Sequence, residues 1–236
     1  MGQERLTIPA AGCALAAILH RPEGAGPWPV VVASHGMLSS KDSEKYQLVG
    51  AAFSASGIAV CRFDFRGCGE SGGILAEASV GERVDDLGRV VAALRTRPEL
   101  DGRAALLGSS MGAFVSLLAA SRDPRVRAVA AWATPADLED LVANPDEVRE
   151  YGLGDPAIAE LRAGRCLRAP TDVPRVLFLH GGADDVVPVA HAERLHAASP
   201  EPKRLHVFPG GDHPLTDPAH RQEAVRMSLE WIRRFL

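Results

Sequence analysis

The pentapeptide Gly108-Ser109-Ser110-Met111-Gly112 constrains this chain more than any other stretch. Residues 104–107 before it (Ala-Ala-Leu-Leu) form a short apolar run of the kind buried in a sheet. Residues 113–120 after it run Ala-Phe-Val-Ser-Leu-Leu-Ala-Ala, with no glycine or proline to break a helix. A strand must therefore turn into a helix within a few residues. So tight a turn predicts a positive φ at Ser110, at a cost of about 1–3 kcal/mol. Gly108 and Gly112 are read as the positions where a Cβ would collide across the bend.

The rest of the chain repeats the strand-then-helix rhythm. Residues 5–8 and 13–20 read as two strands around the Ala11-Gly12 turn, and residues 22–29 as a Gly/Pro-rich loop. Val30-Val31-Val32-Ala33 is apolar throughout, as in a parallel strand covered on both faces. A helix is predicted over 43–56 with Tyr46, Val49 and Phe53 on one face, closed by Gly57. Strand 58–63, helix 80–97, the elbow strand and its helix, and strand 126–132 follow. Strand 176–179, helix 189–198, strand 204–208 and a last helix over about 219–235 complete the pattern. Such alternation predicts an α/β fold: a mostly parallel, doubly wound sheet of about eight strands with helices on both faces. With 236 residues, 46% of them hydrophobic, one domain over 1–236 accounts for the whole chain. Residues 134–172 interrupt the rhythm with charges, prolines and short helical pieces near 138–142 and 158–161, and are read as a small lid inserted in that domain.

In open α/β sheets, sites lie beyond the carboxyl ends of the strands. The polar clusters here fall at those ends: His35-Gly36, residues 64–71, Ser110, Asp184 and His213. A serine hydroxyl needs a base to become a nucleophile. Of the eight histidines, His213 is favoured. It follows the last strand in a Gly-rich loop, after both the serine and an acid. His180 at a strand end, and His191 and His196 on a helix, suit structural or solvated roles. The base needs a carboxylate to fix its tautomer. Asp184 is preferred to Asp185 because it comes first after the Gly181-Gly182-Ala183 turn, and Asp212 is read as a turn residue. An oxyanion hole needs two N–H donors, assigned to Met37 and Met111.

On these pieces the chain resembles the α/β-hydrolase superfamily over nearly its whole length. The matching pieces are His35-Gly36, Asp64-Phe65-Arg66-Gly67 with Gly69, Ser71 and Gly73, the 108–112 elbow, His180-Gly181 with Asp184, Val187 and Pro188, and Gly211 with His213. It is similar to small bacterial serine esterases of the cinnamoyl/feruloyl-esterase-like and acyl-thioesterase-like branches. The resemblance implies Asp184 as triad acid, a lid after the sixth strand, and a structural role for Asp64 and Arg66. The oxyanion loop reads His35-Gly36-Met37-Leu38, which departs from a triple-glycine pattern, and the elbow carries serine where dehalogenases use Asp and dienelactone hydrolases use Cys.

The expected activity is a serine carboxylesterase acting on small to medium esters through an acyl-enzyme. The alternatives are a thioesterase or small peptidase with the same triad, or a non-catalytic ligand-binding member of the fold. Candidate substrate contacts are Leu38, Trp132, Leu138, Leu141, Tyr151, Leu161 and Leu215. No metal or cofactor is expected. The net charge of −4 and pI near 6.1 offer no basic stripe for nucleic acid or an anionic membrane. No apolar run approaches the ~20 residues of a membrane span. Cys13, Cys61, Cys68 and Cys166 are widely spaced and read as reduced thiols of a cytoplasmic protein. The expected partner is a small-molecule ester, and a homodimer is left open.

Overall fold

The computed structural model describes residues 2–236, apart from the side chain of Glu147. An eight-stranded sheet runs in the order β1-β2-β4-β3-β5-β6-β7-β8. The strands are β1 (Gly2–Ala10), β2 (Cys13–Arg21), β3 (Trp28–Ser34), β4 (Ala59–Phe63), β5 (Leu100–Ser109), β6 (Val126–Trp132), β7 (Val176–Gly181) and β8 (Lys203–Phe208). β1 pairs antiparallel with β2, and β2 antiparallel with β4; the pairs from β4 through β8 are parallel. The burial of residues 30–34 explains the unbroken apolar run of β3: it is an inner strand covered on both faces.

Helices α1 (Glu44–Ser54) and α8 (Pro218–Arg233) pack on one face, against a core that includes Val31, Tyr46, Phe53, Trp132 and Ile232. Helices α2 (Val80–Arg95) and α3 (Met111–Arg122) cover the other, around Val32, Leu87, Phe114 and Val129. Most residues of α3 are buried, which is why its sequence carries almost no polar face. A capping box starts α2: the Ser79 hydroxyl accepts from Glu82 N, and the Glu82 carboxylate accepts from Ser79 N.

Between β6 and β7 lie three short helices, α4 (Glu139–Ala143), α5 (Pro145–Glu150) and α6 (Asp155–Arg162). This stretch closes on itself: Asp137 bridges to Arg168, Leu138 N donates to Leu167 O, and Ala169 N donates to Ala136 O. α7 (Ala190–Ala198) links β7 to β8. None of the helices among the described residues is long and apolar enough to cross a membrane.

Candidate active site

The bend at the end of β5 is as tight as the sequence requires. Ser110 has φ 55° and ψ −124°, and its N–H donates to Trp132 O at 2.8 Å. A Cβ at Gly108 would lie 2.4 Å from Gly112 O, and one at Gly112 would lie 2.1 Å from Ser34 O. Both glycines are thus places where backbone meets backbone. Ser109 is buried in the strand and its hydroxyl accepts from Lys45 Nζ at 3.1 Å, whereas Ser110 faces a cavity. The N–H of Met111 opens α3, where the first amides have no intrahelical acceptor.

The loop after β3 lies against this bend: a Cβ on Gly36 would come within 3.2 Å of Ser110 Cβ. Two sets of contacts fix the loop. His35 is buried, donates from Nδ1 to Gly36 O at 2.7 Å and accepts from Phe65 N at Nε2 at 3.1 Å. Lys41 gives its backbone N–H and its ammonium to the two oxygens of buried Asp64, at 2.7 and 2.9 Å. Asp64 also accepts from Glu70 N, and a Cβ on Gly69 would fall 2.2 Å from its carboxylate. Arg66 grips Asp86 with two nitrogens. The 64–71 stretch therefore braces the loop that carries Met37.

These contacts give the fold a pH dependence. Burial lowers the pKa of His35 to about 4, and burial together with Arg62 does the same for His20, whose Nε2 accepts from Arg62 Nε at 2.8 Å. Unfolded, both take a proton near 6.5. The unfolded state then binds more protons, so stability is full above about pH 6.5 and falls as the pH drops toward about 4. The loss should reach about 3 kcal/mol per histidine when complete. Urea midpoints measured across this window would check it, and a flat profile in which His20→Gln changes nothing would count against it.

On the other side of the cavity, Asp184 is buried while its neighbour Asp185 is exposed. Asp184 Oδ1 accepts from Val186 N at 3.0 Å and Val187 N at 2.7 Å; Oδ2 lies 2.8 Å from His213 Nδ1. His180 Nε2 is 3.2 Å from that same Oδ2 and 2.8 Å from Val187 O. Both neighbours of His180 Nε2 are acceptors, so it carries the proton. Burial alone would raise the pKa of Asp184, but the bonds from His180, His213 and Val187 outweigh it and hold the carboxyl well below its usual range. An ionised Asp184 places the His213 proton on Nδ1 and leaves Nε2 with a free lone pair. Asp212 accepts from Thr216 N and Thr216 Oγ1, as a turn residue does.

Ser110 and His213 line one cavity of about 430 Å³. No hydrogen bond within 3.5 Å joins the Ser110 hydroxyl to the His213 ring among the described residues. Met37, Met111, Leu38, Leu138, Leu141 and Tyr151 line the same cavity. Three expected contacts do not. Trp132 turns away at the end of β6 and donates from Nε1 to Ser228 Oγ of α8 at 2.9 Å. Leu161 is buried in the α2/α3-side core and Leu215 in the α1/α8-side core. The cavity wall also holds Pro135, Asp137, Asp140, Asn144, residues 186–188 and His191, none of which the sequence reading placed there. For His191 the available signal was its position one helical turn after Val187-Pro188.

Sheet order, elbow and loop arrangement define an α/β hydrolase. Residues 26–154, more than half of the chain, match the family described as Serine aminopeptidase, S33, and the chain belongs to that family. An uncharacterized protein of Mycobacterium tuberculosis is 32% identical over 221 residues, covering 92% of this chain and 72% of that protein. An uncharacterized Escherichia coli protein is 31% identical over 157 residues, 65% of this chain; the chain spans about half (52%) of that relative's length. The esterase domain of a Rhodothermus marinus protein superposes with a TM-score of 0.75 at 24% identity, covering 100% of this chain and 99% of that one. Est1E of Butyrivibrio proteoclasticus, solved with ferulic acid, superposes with a TM-score of 0.79 at 20% identity, covering 97% of this chain and 99% of that one.

Proposed function

We propose that the protein is a serine hydrolase of carboxylic esters, with Ser110 as nucleophile, His213 as base and Asp184 as the acid that orients it. The observation that carries this reading is the Asp184 carboxylate 2.8 Å from Nδ1 of His213, which lines the same cavity as Ser110. His213 Nε2 takes the Ser110 proton as Oγ attacks the acyl carbon. The N–H groups of Met37 and Met111 receive the oxyanion, each worth about 3–4 kcal/mol in the transition state. The alcohol leaves with the proton from His213, and a water activated by the same nitrogen frees the acid. The transfer needs Oγ and Nε2 within hydrogen-bond reach, and such bonds often tighten only with substrate bound. Residues 134–172 serve as the lid that supplies one wall of the cavity.

The family description favours amide cleavage as a second reading, served by the same three residues. A fluorophosphonate probe and a panel of p-nitrophenyl esters, acyl thioesters and aminoacyl anilides separate these readings. We expect an adduct on Ser110 and faster turnover of esters than of anilides. Faster anilide turnover would favour the peptidase, and absence of any adduct would favour a binding protein that does no chemistry.

A further inference from the structure

His191 lies on α7 and borders the cavity. Its Nδ1 is 3.0 Å from Ala136 N and 3.1 Å from Arg194 Nη2. A backbone amide and a guanidinium only donate, so Nδ1 carries no proton. The ring is therefore neutral, with its proton on Nε2. Burial and the Arg194 charge favour the same neutral form. Arg194 is itself held by Asp137 at 2.8 Å, so the tautomer is fixed by a small network. Nε2–H is the one polar atom of the ring that network leaves uncommitted, and no partner for it exists among the described residues.

The surrounding wall limits what this donor can meet. Met37, Leu138, Leu141 and Val187 make much of the cavity apolar. Asp137 and Asp140 add two carboxylates to the same wall, both close enough to His191 to act on its charge. Arg194 offsets the charge of Asp137, so Asp140 is the carboxylate that opposes an anionic substrate. A carboxylate-bearing acyl group would meet like charge where the donor sits. We propose that His191 is a specificity-determining residue: its Nε2–H recognises an uncharged acceptor oxygen, an ether or ketone, on an otherwise apolar acyl group. This rests on the hydrolase reading above and names the substrate class for that site.

The test compares p-nitrophenyl hexanoate with its isosteric oxa-analogues, in which oxygen replaces the chain methylene at position 3, 4 or 5. The readout is the kcat/KM ratio of each analogue to hexanoate, in wild type and in His191→Phe, so a general loss of activity cancels. One hydrogen bond predicts that the ratio for at least one analogue falls about fivefold in the variant. His191→Gln, which keeps an acceptor for Ala136 N and a donor for the substrate, should restore part of it. A change below about twofold for all analogues would overturn the proposal. For the carboxylates, p-nitrophenyl glutarate relative to pentanoate should improve severalfold in Asp140→Asn; an unchanged ratio would overturn the exclusion of anions. Fluorophosphonate labelling of Ser110 runs alongside. Labelling with unmoved ratios sinks the His191 proposal alone, whereas absence of labelling and ester turnover sinks the hydrolase reading and this proposal with it.

Discussion

Replacing Ser110 with alanine is expected to lower kcat on an activated ester by about four to six decades while the protein stays folded. The structure explains why the loss should be purely chemical. The Ser110 side chain caps nothing: no bond runs from it to the start of α3. Its backbone N–H, which ties the bend to Trp132 O, is untouched by the change. Alanine fills the same Cβ position and carries the same positive φ. The melting temperature should therefore move little while turnover collapses. Active-site titration of the wild type, followed by kcat and thermal melts of both proteins, would check this. A variant that turns over at near the wild-type rate would remove Ser110 from the mechanism.

Asp184→Asn is expected to cost about 10⁴ in kcat, by a change of tautomer. The Oδ1 position receives two backbone donors, Val186 N and Val187 N. An asparagine must place its oxygen there, so its NH₂ takes the place of Oδ2 and points at His213 Nδ1. The imidazole proton then moves to Nε2, and the lone pair that should receive the serine proton is gone. His180 need not follow, because its Nε2–H keeps its bond to Val187 O. Asp185→Asn, at an exposed position, is the control and should change kcat little. If the two variants behave alike, Asp184 is not the orienting acid. The carboxylate also stabilises the fold. Its pKa lies below the unfolded value of 3.8, so that contribution is present above about pH 4 and fades as the pH drops below it.

The sheet was legible because inner parallel strands must be apolar on both faces, as in β3 and β7. Boundaries were less so. β5 begins at Leu100, four residues before the apolar run: Leu100 pairs with Trp28, and the register then shifts across residues 101–103, where the Arg103 side chain bonds to Asp101, before Ala104 pairs with Val30. α5 has so polar a sequence that no apolar stripe marks it, and its start at Pro145 reads as a break. Turn chemistry at strand ends leaves a local mark, which is what singled out Ser110, Asp184 and His213 as candidates; the structure brings Asp184 against His213 and sets Ser110 and His213 on one cavity. The cavity wall leaves none. Trp132 ends the strand beside the elbow, yet the pleat sends its ring to the far face of the sheet. His191 looked like a surface histidine on a polar helix; only the approach of Ala136 from a distant part of the chain turns its ring into a fixed donor.

The bend at position 110 carries a backbone cost. A serine there occupies a backbone region that glycine enters freely. On the role proposed for Ser110, a glycine at 110 would relieve the strain of the positive φ and lose the reacting hydroxyl. Robustness and reactivity pull against each other at this single α-carbon, and the rest of the molecule must be sturdy enough to carry the difference.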